Sequence, residues 1–355
     1  MLSLPPLPAR RLLVGYALAL GLGLIGGVIA VQIGSPLPWF IGPMVLNSIL
    51  ALAGVPVVGP DFLRPLAMPV LGVVLGSAFL PEIFADLGQW ALPLAAIPLF
   101  ILVSTTVNYL FFRRVAGQDQ ITAYLSSVPG GLTDMILLGE EYGGDTRQIA
   151  LAHSMRVLVS VLVIALIVVW HGGTGPAPVR TVTHITDLSV LDGVVLVLCV
   201  WLGPQVGGLL RFPAKLLLGA LLLSALAHLV GITRAPTPTL LSLGAQLVLG
   251  SSVGARFAGV SIRSAARSML YGLTSSLVSL GVSAGMAAVA MSVAGIDYFE
   301  ALLGYAPGGM MEMSLLALAI HQSVAYVSVA HIIRYLLVMF TAIGAFHLIR
   351  RRQKA

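Results

Sequence analysis

The stretch SVPGGLTDM, from Ser127 to Met135, places a proline, two glycines and an acid inside a chain that is otherwise strongly apolar. A second stretch, YAPGGMMEM from Tyr305 to Met313, repeats the pattern. Proline interrupts a helix, and a carboxylate is costly in apolar surroundings. The fold class therefore depends on why an apolar chain contains this device twice.

The composition indicates an all-α polytopic membrane protein. The chain has 355 residues, of which 58% are hydrophobic and 9% are charged, whereas a soluble domain has about 25% charged residues. One cysteine, Cys199, excludes a disulfide framework and a cysteine-based metal cluster. The first apolar run, 12–33, is longer than the core of a signal peptide, which has about 7–15 residues, so we predict a retained span.

Ten apolar runs have a length suited to crossing a bilayer. They are 12–33, 39–57, 65–80, 90–112, 149–170, 189–210, 213–232, 238–254, 269–293 and 323–349. Two further segments, 117–141 and 295–320, are broken in the middle by Pro-Gly-Gly. Each half has about 10 residues, too few to cross alone.

The basic residues favour two re-entrant hairpins. If the N-terminus is cytoplasmic and both broken segments dip in and return, fifteen of the nineteen lysines and arginines face the cytoplasm. Only Arg180 and Arg234 then lie outside, and Arg156 and Arg334 lie within spans. The positive-inside rule favours this arrangement over two crossing segments. We therefore predict a multi-pass membrane protein with both termini cytoplasmic.

The chain is an internal duplication. Residues 117–158 align with residues 295–336 at an offset of 178 without a gap, and 14 of 42 positions are identical. We predict a first repeat at 1–170, a Gly/Pro-rich linker at 171–187 and a second repeat at 188–355. Because each repeat has five spans, an odd number, the two should be inverted relative to each other, as in many secondary transporters.

Three elements carry a family resemblance: SPLPWFIGPM (Ser35 to Met44), the duplicated PGG-x-x-[DE]-M, and the H-x-x-R that follows each copy. They resemble the bacterial AbrB-like membrane protein family over nearly the whole chain. This is not the small soluble DNA-binding regulator of the same name. Members are labelled regulators of gene expression or ammonia monooxygenases, and the resemblance implies no substrate.

The two Pro-Gly-Gly tips are the predicted substrate or ion site. A broken backbone at membrane depth is tolerated where it is buried in protein or lines a cavity. The half-helix after each tip presents N–H groups suited to an anion, and the half-helix before it presents carbonyls suited to a cation. Glycine is expected at the tips because it tolerates positive φ and lets the backbone approach a ligand. The alternative is a tight turn sealed by neighbouring spans.

Charged side chains follow each tip. Asp134 and Glu312 are candidates for a proton or sodium site, or for caps of the half-helices. Arg156 and Arg334 could bind an anionic solute, or form buried pairs with Asp134 and Glu312, and cross-repeat pairs are equally open. If Asp134 and Arg156 form a purely structural ion pair, Asp134→Asn should leave the Arg156 guanidinium without its partner and destabilise the protein. The predicted site residues are Pro129, Gly130, Gly131, Asp134, His153, Arg156, Pro307, Gly308, Gly309, Glu312, His331 and Arg334; none is assigned a catalytic or metal-binding role.

Three functions follow from these observations. The first is a secondary transporter of a small solute, with anions among the candidates, coupled to H⁺ or Na⁺. The second is a membrane-embedded regulator that acts indirectly, because the chain has no domain of known DNA-binding type. The third is a copper monooxygenase, but copper favours several histidine ligands and the seven histidines form no cluster. We predict no enzyme activity and no cofactor, with the bilayer, the solute and a second copy of the chain as partners.

Overall fold

The computed structural model describes residues 9–81, 83, 87–170, 183–212, 214–260 and 262–354. Most of the predicted linker, 171–182, lies outside these ranges. The described residues form helices and connecting turns, without strands. Fifteen α-helices run through them: α1 (Ala9–Gln32), α2 (Pro38–Leu52), α3 (Arg64–Gly76), α4 (Leu87–Ala95), α5 (Ile97–Arg114), α6 (Gln120–Ser127), α7 (Leu132–Tyr142), α8 (Thr146–Trp170), α9 (Val190–Leu209), α10 (Lys215–Leu229), α11 (Thr239–Gly254), α12 (Ile262–Ala294), α13 (Tyr298–Tyr305), α14 (Met310–Ala319) and α15 (Val324–Lys354).

Seven stretches of the described chain are helical, long and apolar enough to cross a membrane. They are Arg10–Gln32, Leu87–Arg114, Thr146–Trp170, Val190–Leu209, Thr239–Phe257, Ala266–Ala294 and Val324–Thr341. The predicted spans near α2, α3 and α10 also contain helices, but these have 15, 13 and 15 residues. Each is shorter than the roughly 20 residues a perpendicular span needs. The number of ten spans therefore stays a prediction.

The helix boundaries of the gapless region follow the duplication. Helices α6, α7 and α8 begin at residues 120, 132 and 146, and α13, α14 and α15 begin 178 residues later in each case. The caps repeat as well. Asp119 accepts hydrogen bonds from the first N–H groups of α6, and Asp297 does the same for α13. An acid at this position satisfies N–H groups that have no partner within the helix.

The chain divides into two compact units, and each draws on both predicted repeats. The first contains described residues of Met1–Ile83, Ile164–Ala265 and Leu318–Val324. The second contains those of Phe84–Val163, Ala266–Ala317 and Ala325–Ala355. The units thus follow spatial contacts, whereas the predicted boundaries at 170 and 188 describe a repeat along the sequence.

Glycines set the helix crossings of the first unit. A Cβ on Gly42 of α2 would collide with the backbone of Gly26 in α1, and a Cβ on Gly219 of α10 would collide with Gly203 in α9. The two crossings lie 177 residues apart. Small residues let helix backbones approach closely, which is how helices associate in membranes. Gly23 and Gly27 of α1 also lie against neighbouring side chains, and Gly27 faces Trp39.

The first unit also contains reciprocal contacts between the repeats. Gly72 of α3 faces the carbonyl of Leu217 in α10, and Gly250 of α11 faces the carbonyl of Phe40 in α2. The glycines lie 178 residues apart and their partners 177 apart. A contact made once in each direction between equivalent surfaces is the pattern that a two-fold axis produces.

In the second unit, α6 and α7 form a hairpin whose two outer ends meet. The Asp145 N–H, after α7, donates to Oγ1 of Thr122 in the first turn of α6 at 2.8 Å. Just outside these residues, Gln118 Nε2 donates to Oε1 of Gln148 at 2.9 Å. The chain therefore enters and leaves this hairpin at one place.

Candidate functional site

Both Pro-Gly-Gly tips are breaks between two short helices of the second unit. Helix α6 ends at Ser127, and Val128 is extended with φ −65° and ψ 133°. Gly131, at φ −70° and ψ 134°, precedes α7. In the second copy, Ala306 ends α13 with φ −53° and ψ 135°. The same backbone geometry therefore interrupts both copies, and it leaves carbonyls on one side and N–H groups on the other.

The tip glycines are required by space rather than by torsion, so the expected positive φ is wrong, whereas a close approach of the backbone to a ligand stays a prediction. Among the described residues with positive φ, none is a tip glycine. A Cβ on Gly130 would lie 2.9 Å from Met135 Cε and 3.0 Å from Val338 Cγ1. A Cβ on Gly308 would lie 2.6 Å from Met313 Cε. In both copies the methionine of the motif folds back over the first glycine.

Two arginines donate hydrogen bonds to backbone carbonyls at the breaks between the short helices. Arg156 Nη1 donates to Val128 O at 2.8 Å, and its Nη2 donates to Ser126 O. Arg334 Nη1 donates to Ala306 O, and its Nη2 donates to Gly308 O at 2.8 Å. The Nη1 acceptors are equivalent positions of the duplication. Both side chains are buried, with 2% and 6% of their surface exposed.

Two histidines lie between the same arginines and one further backbone carbonyl each. His153 Nε2 lies 2.9 Å from Leu125 O, and His331 Nε2 lies 2.9 Å from Leu303 O. Their Nδ1 atoms face guanidinium donors, at 3.4 Å for Arg156 and 2.9 Å for Arg334. A carbonyl only accepts and a guanidinium only donates, so each ring carries its proton on Nε2. In this arrangement neither imidazole has a free nitrogen that could take up a proton.

The predicted pair of Asp134 with Arg156 is wrong for the described conformation. Arg156 contacts carbonyls and His153, whereas Asp134 Oδ2 accepts a hydrogen bond from the Tyr335 hydroxyl at 2.9 Å. The Asp134 carboxylate also folds over Gly131, where a Cβ would meet it. Glu312 is 7% exposed and folds over Gly309 in the same way. Each acid thus lies at the N-terminal end of its half-helix, the position predicted for a cap.

All twelve predicted site residues lie in the second unit. The Nε atom of Arg156 is buried without a hydrogen-bond partner. The second unit therefore brings together two broken helices, two buried cations and two carboxylates, each of which lies against a tip glycine. This combination can compensate added negative charge.

Two features of the site were missed from the sequence. The first is that α15, from the second repeat, covers the first tip through Tyr335 and Val338. The neighbouring Arg334 belongs to the H-x-x-R motif, whereas Tyr335 and Val338 belong to neither of the duplicated motifs. The second is a buried polar row, in which Asn108 bonds to Ser275 and Ser279. The spacing of four residues between these serines is a signal that could have indicated it.

The row continues toward the second tip, since Ser283 Oγ donates to the carbonyl of Tyr305 at 3.1 Å. Residue Tyr305 is the last of α13, two positions before Pro307. Ser104, beside Asn108, has a buried hydroxyl without a partner in the described structure. A polar path therefore leads through the apolar unit to the broken helix.

A family model described as "Transition state regulatory protein AbrB" matches residues 39–350, which include both tips and both arginines. The chain belongs to this AbrB family. The match confirms the resemblance carried by the duplicated PGG-x-x-[DE]-M motif. It extends over most of both predicted repeats.

Two relatives extend the AbrB match to whole proteins. The chain is 27% identical over 347 residues to "Uncharacterized protein YhjN" of Bacillus subtilis (strain 168), covering 88% of each chain. It is 26% identical over 332 residues to "Putative regulator AbrB" of Escherichia coli (strain K12), covering 92% of this chain and 93% of the relative. The similarity to each relative thus extends over at least 88% of both chains.

Proposed function

We propose that this AbrB-family protein is a secondary transporter that carries a small anionic solute through the second unit and couples it to protons. The observation that carries the proposal is the placement of two buried arginines at two broken helices. Each guanidinium occupies the carbonyls that a cation would need. The groups that remain at the tips are helix N-termini and positive charge, which favour an anion.

The carboxylates supply the coupling in this proposal. When Asp134 and Glu312 are ionised, they compensate the charge of Arg156 and Arg334. When the acids are protonated, the two guanidiniums are left in excess and the site attracts an anion. Binding of the solute and of a proton should therefore favour each other. The histidines are unsuited to this role, because both of their nitrogens are occupied.

The transporter architecture belongs to the same proposal. Inverted repeats with discontinuous helices form the substrate sites of many secondary transporters near the bilayer midplane. The reciprocal glycine contacts of the first unit and the meeting ends of the α6–α7 hairpin support ten spans in two inverted repeats with re-entrant tips. The corresponding location is the bacterial inner membrane with both termini cytoplasmic.

A second candidate function is indirect regulation of gene expression. The printed name of the Escherichia coli relative favours it. Such a protein would act through a partner or through the level of a solute, without contacting nucleic acid itself. A monooxygenase activity is not proposed, because no residue pattern of the chain favours it.

The test is flux in proteoliposomes that contain the purified protein and a pH-sensitive dye in the lumen. We expect an inward gradient of one anion, among phosphate, sulfate, acetate and succinate, to drive proton uptake that is independent of Na⁺. Glu312→Gln should abolish the proton signal, because the coupling carboxyl is lost. Glu141→Gln, an exposed acid outside the tips, is the matched control and should leave the signal unchanged.

Two outcomes contradict the proposal. Flux that requires Na⁺ and persists in Glu312→Gln would refute proton coupling through this carboxyl. If no anion or cation moved faster than in protein-free liposomes, the transport function would be wrong and the regulator would be favoured.

A further inference from the structure

A cavity of about 450 Å³ lies beside the first tip, within the second unit. Helix α5 supplies six of its ten lining residues. The others are Tyr124 of α6, Val128 of the tip, and Leu337 and Thr341 of α15. Sites for small molecules occupy about 300–1,000 Å³. The cavity is therefore large enough for part of an organic molecule, and neither the family nor the proposed function assigns one to it.

The cavity lies along an exposed face of a candidate membrane span, Leu87–Arg114. The α5 residues that line it include Ile101, Leu102, Thr105 and Tyr109, which share one helix face by their spacing. Leu102 is 65% exposed. An apolar opening of this kind on a membrane span meets the hydrocarbon of the bilayer. The chemistry that fits the walls is an alkyl chain.

Polar groups extend the same face toward one end of α5. The Thr105 hydroxyl is buried without a hydrogen-bond partner. One turn beyond Tyr109, Arg113 continues the face and is exposed at the end of the helix. Its Nη1 donates to Gln118 O at 2.5 Å, so part of the guanidinium is anchored while the rest faces outward. This cavity and the exposed arginine one turn beyond it on the same helix face together form a groove that is complementary to an alkyl chain with an anionic head group.

We propose that this groove binds an anionic phospholipid, with one acyl chain in the cavity and the phosphate at Arg113. The chain would lie against Val128, whose carbonyl is held by Arg156. The lipid would thereby support the turn that breaks α6 and α7. The inference rests on the placement of the protein in a bilayer and is independent of whether it transports a solute.

The test uses phosphatidylglycerol with a photoreactive diazirine in one acyl chain, with the full-length protein in nanodiscs. Phosphatidylcholine that carries the same chain is the head-group control. We expect the phosphatidylglycerol probe to label peptides of α5 and α15 more strongly than the phosphatidylcholine probe. Thr106→Trp and, independently, Thr341→Trp should fill the groove from opposite walls and remove this labelling. Val107→Trp, on another face of α5, should leave it unchanged.

Arg113→Gln should reduce labelling by phosphatidylglycerol to the level of phosphatidylcholine. Arg114→Gln, a neighbouring arginine on another face of the helix, should retain the preference. Equal labelling by the two probes in the wild-type protein would overturn the proposal. The same conclusion would follow if Val107→Trp reduced labelling as much as both groove-filling variants.

Discussion

At the scale of single residues, the arginines of the duplicated H-x-x-R motif serve the backbone first. A broken helix leaves carbonyls without partners, and a buried carbonyl without a partner is costly. A guanidinium offers five donors in a fixed plane and a charge that suits the negative end of a helix. Arg156 and Arg334 therefore stabilise the breaks and, in doing so, bring two positive charges into the interior.

This role predicts an unequal effect of two substitutions. Arg156→Gln should lower the free energy of unfolding by about 3 kcal/mol or more, because several buried carbonyls lose their donor at about 1–3 kcal/mol each. Asp134→Asn keeps an oxygen that can accept from Tyr335, so the change should be less than about 1 kcal/mol. Denaturant unfolding in detergent measures both. If Asp134→Asn caused a large loss of stability that the additional change Arg156→Gln recovered, the two side chains would have to form an ion pair. That result would contradict the contacts in the structure.

At the scale of elements, the sequence predicted the breaks well and their internal contacts poorly. The offset of 178 locates both hairpins, because Pro-Gly-Gly and an apolar surrounding are local signals. The partners of Arg156 are carbonyls 28 to 30 positions earlier, and backbone atoms have no sequence signature. The glycines were predicted for torsion, since a sequence does not reveal whether Met135 or Val338 will occupy the space of a Cβ.

Crowding at the tips leads to a prediction for glycine substitutions. Gly130→Ala should destabilise the protein by about 1–3 kcal/mol, because a Cβ presses on both Met135 and Val338. Gly285→Ala, on an open face of α12, is the matched control and should be neutral or stabilising by up to about 1 kcal/mol. Thermal unfolding of the two variants measures this difference in stability. If Gly130→Ala were as stable as the control, the tip would have room that the structure does not give it.

At the scale of the whole molecule, repeats along the chain and units in space are different divisions. The predicted boundary near 170 separates the two predicted repeats, whereas each compact unit combines parts of both. Contacts between equivalent helices account for this difference in the first unit, because α3 packs on α10 while α11 packs on α2. The number of membrane spans was harder to predict from the sequence, because the length of a helix of 13 to 15 residues does not show whether it crosses the bilayer.

The orientation of the hairpins can be tested on the intact protein. Helices α6 and α7 have 8 and 11 residues and together would be long enough to cross a bilayer, so length alone does not decide. One contact and the distribution of charge favour the re-entrant arrangement. A crossing segment would place Gln118 and Gln148 on opposite faces about 30 Å apart, whereas they are joined by a hydrogen bond of 2.9 Å. The basic residues favour the same arrangement.

We therefore expect Arg114→Cys and Arg147→Cys, each in a Cys199→Ser background, to react with an impermeant maleimide from the cytoplasmic face. Arg234→Cys should react only from the opposite face and serves as the reference for sidedness. Right-side-out and inside-out vesicles provide the two accessibilities. If both positions react from the cytoplasmic face, the hairpin returns to the face it leaves, so the first repeat has five crossings and the second must be inverted. Labelling of positions 114 and 147 from opposite faces would remove both the re-entrant hairpin and the inverted repeat.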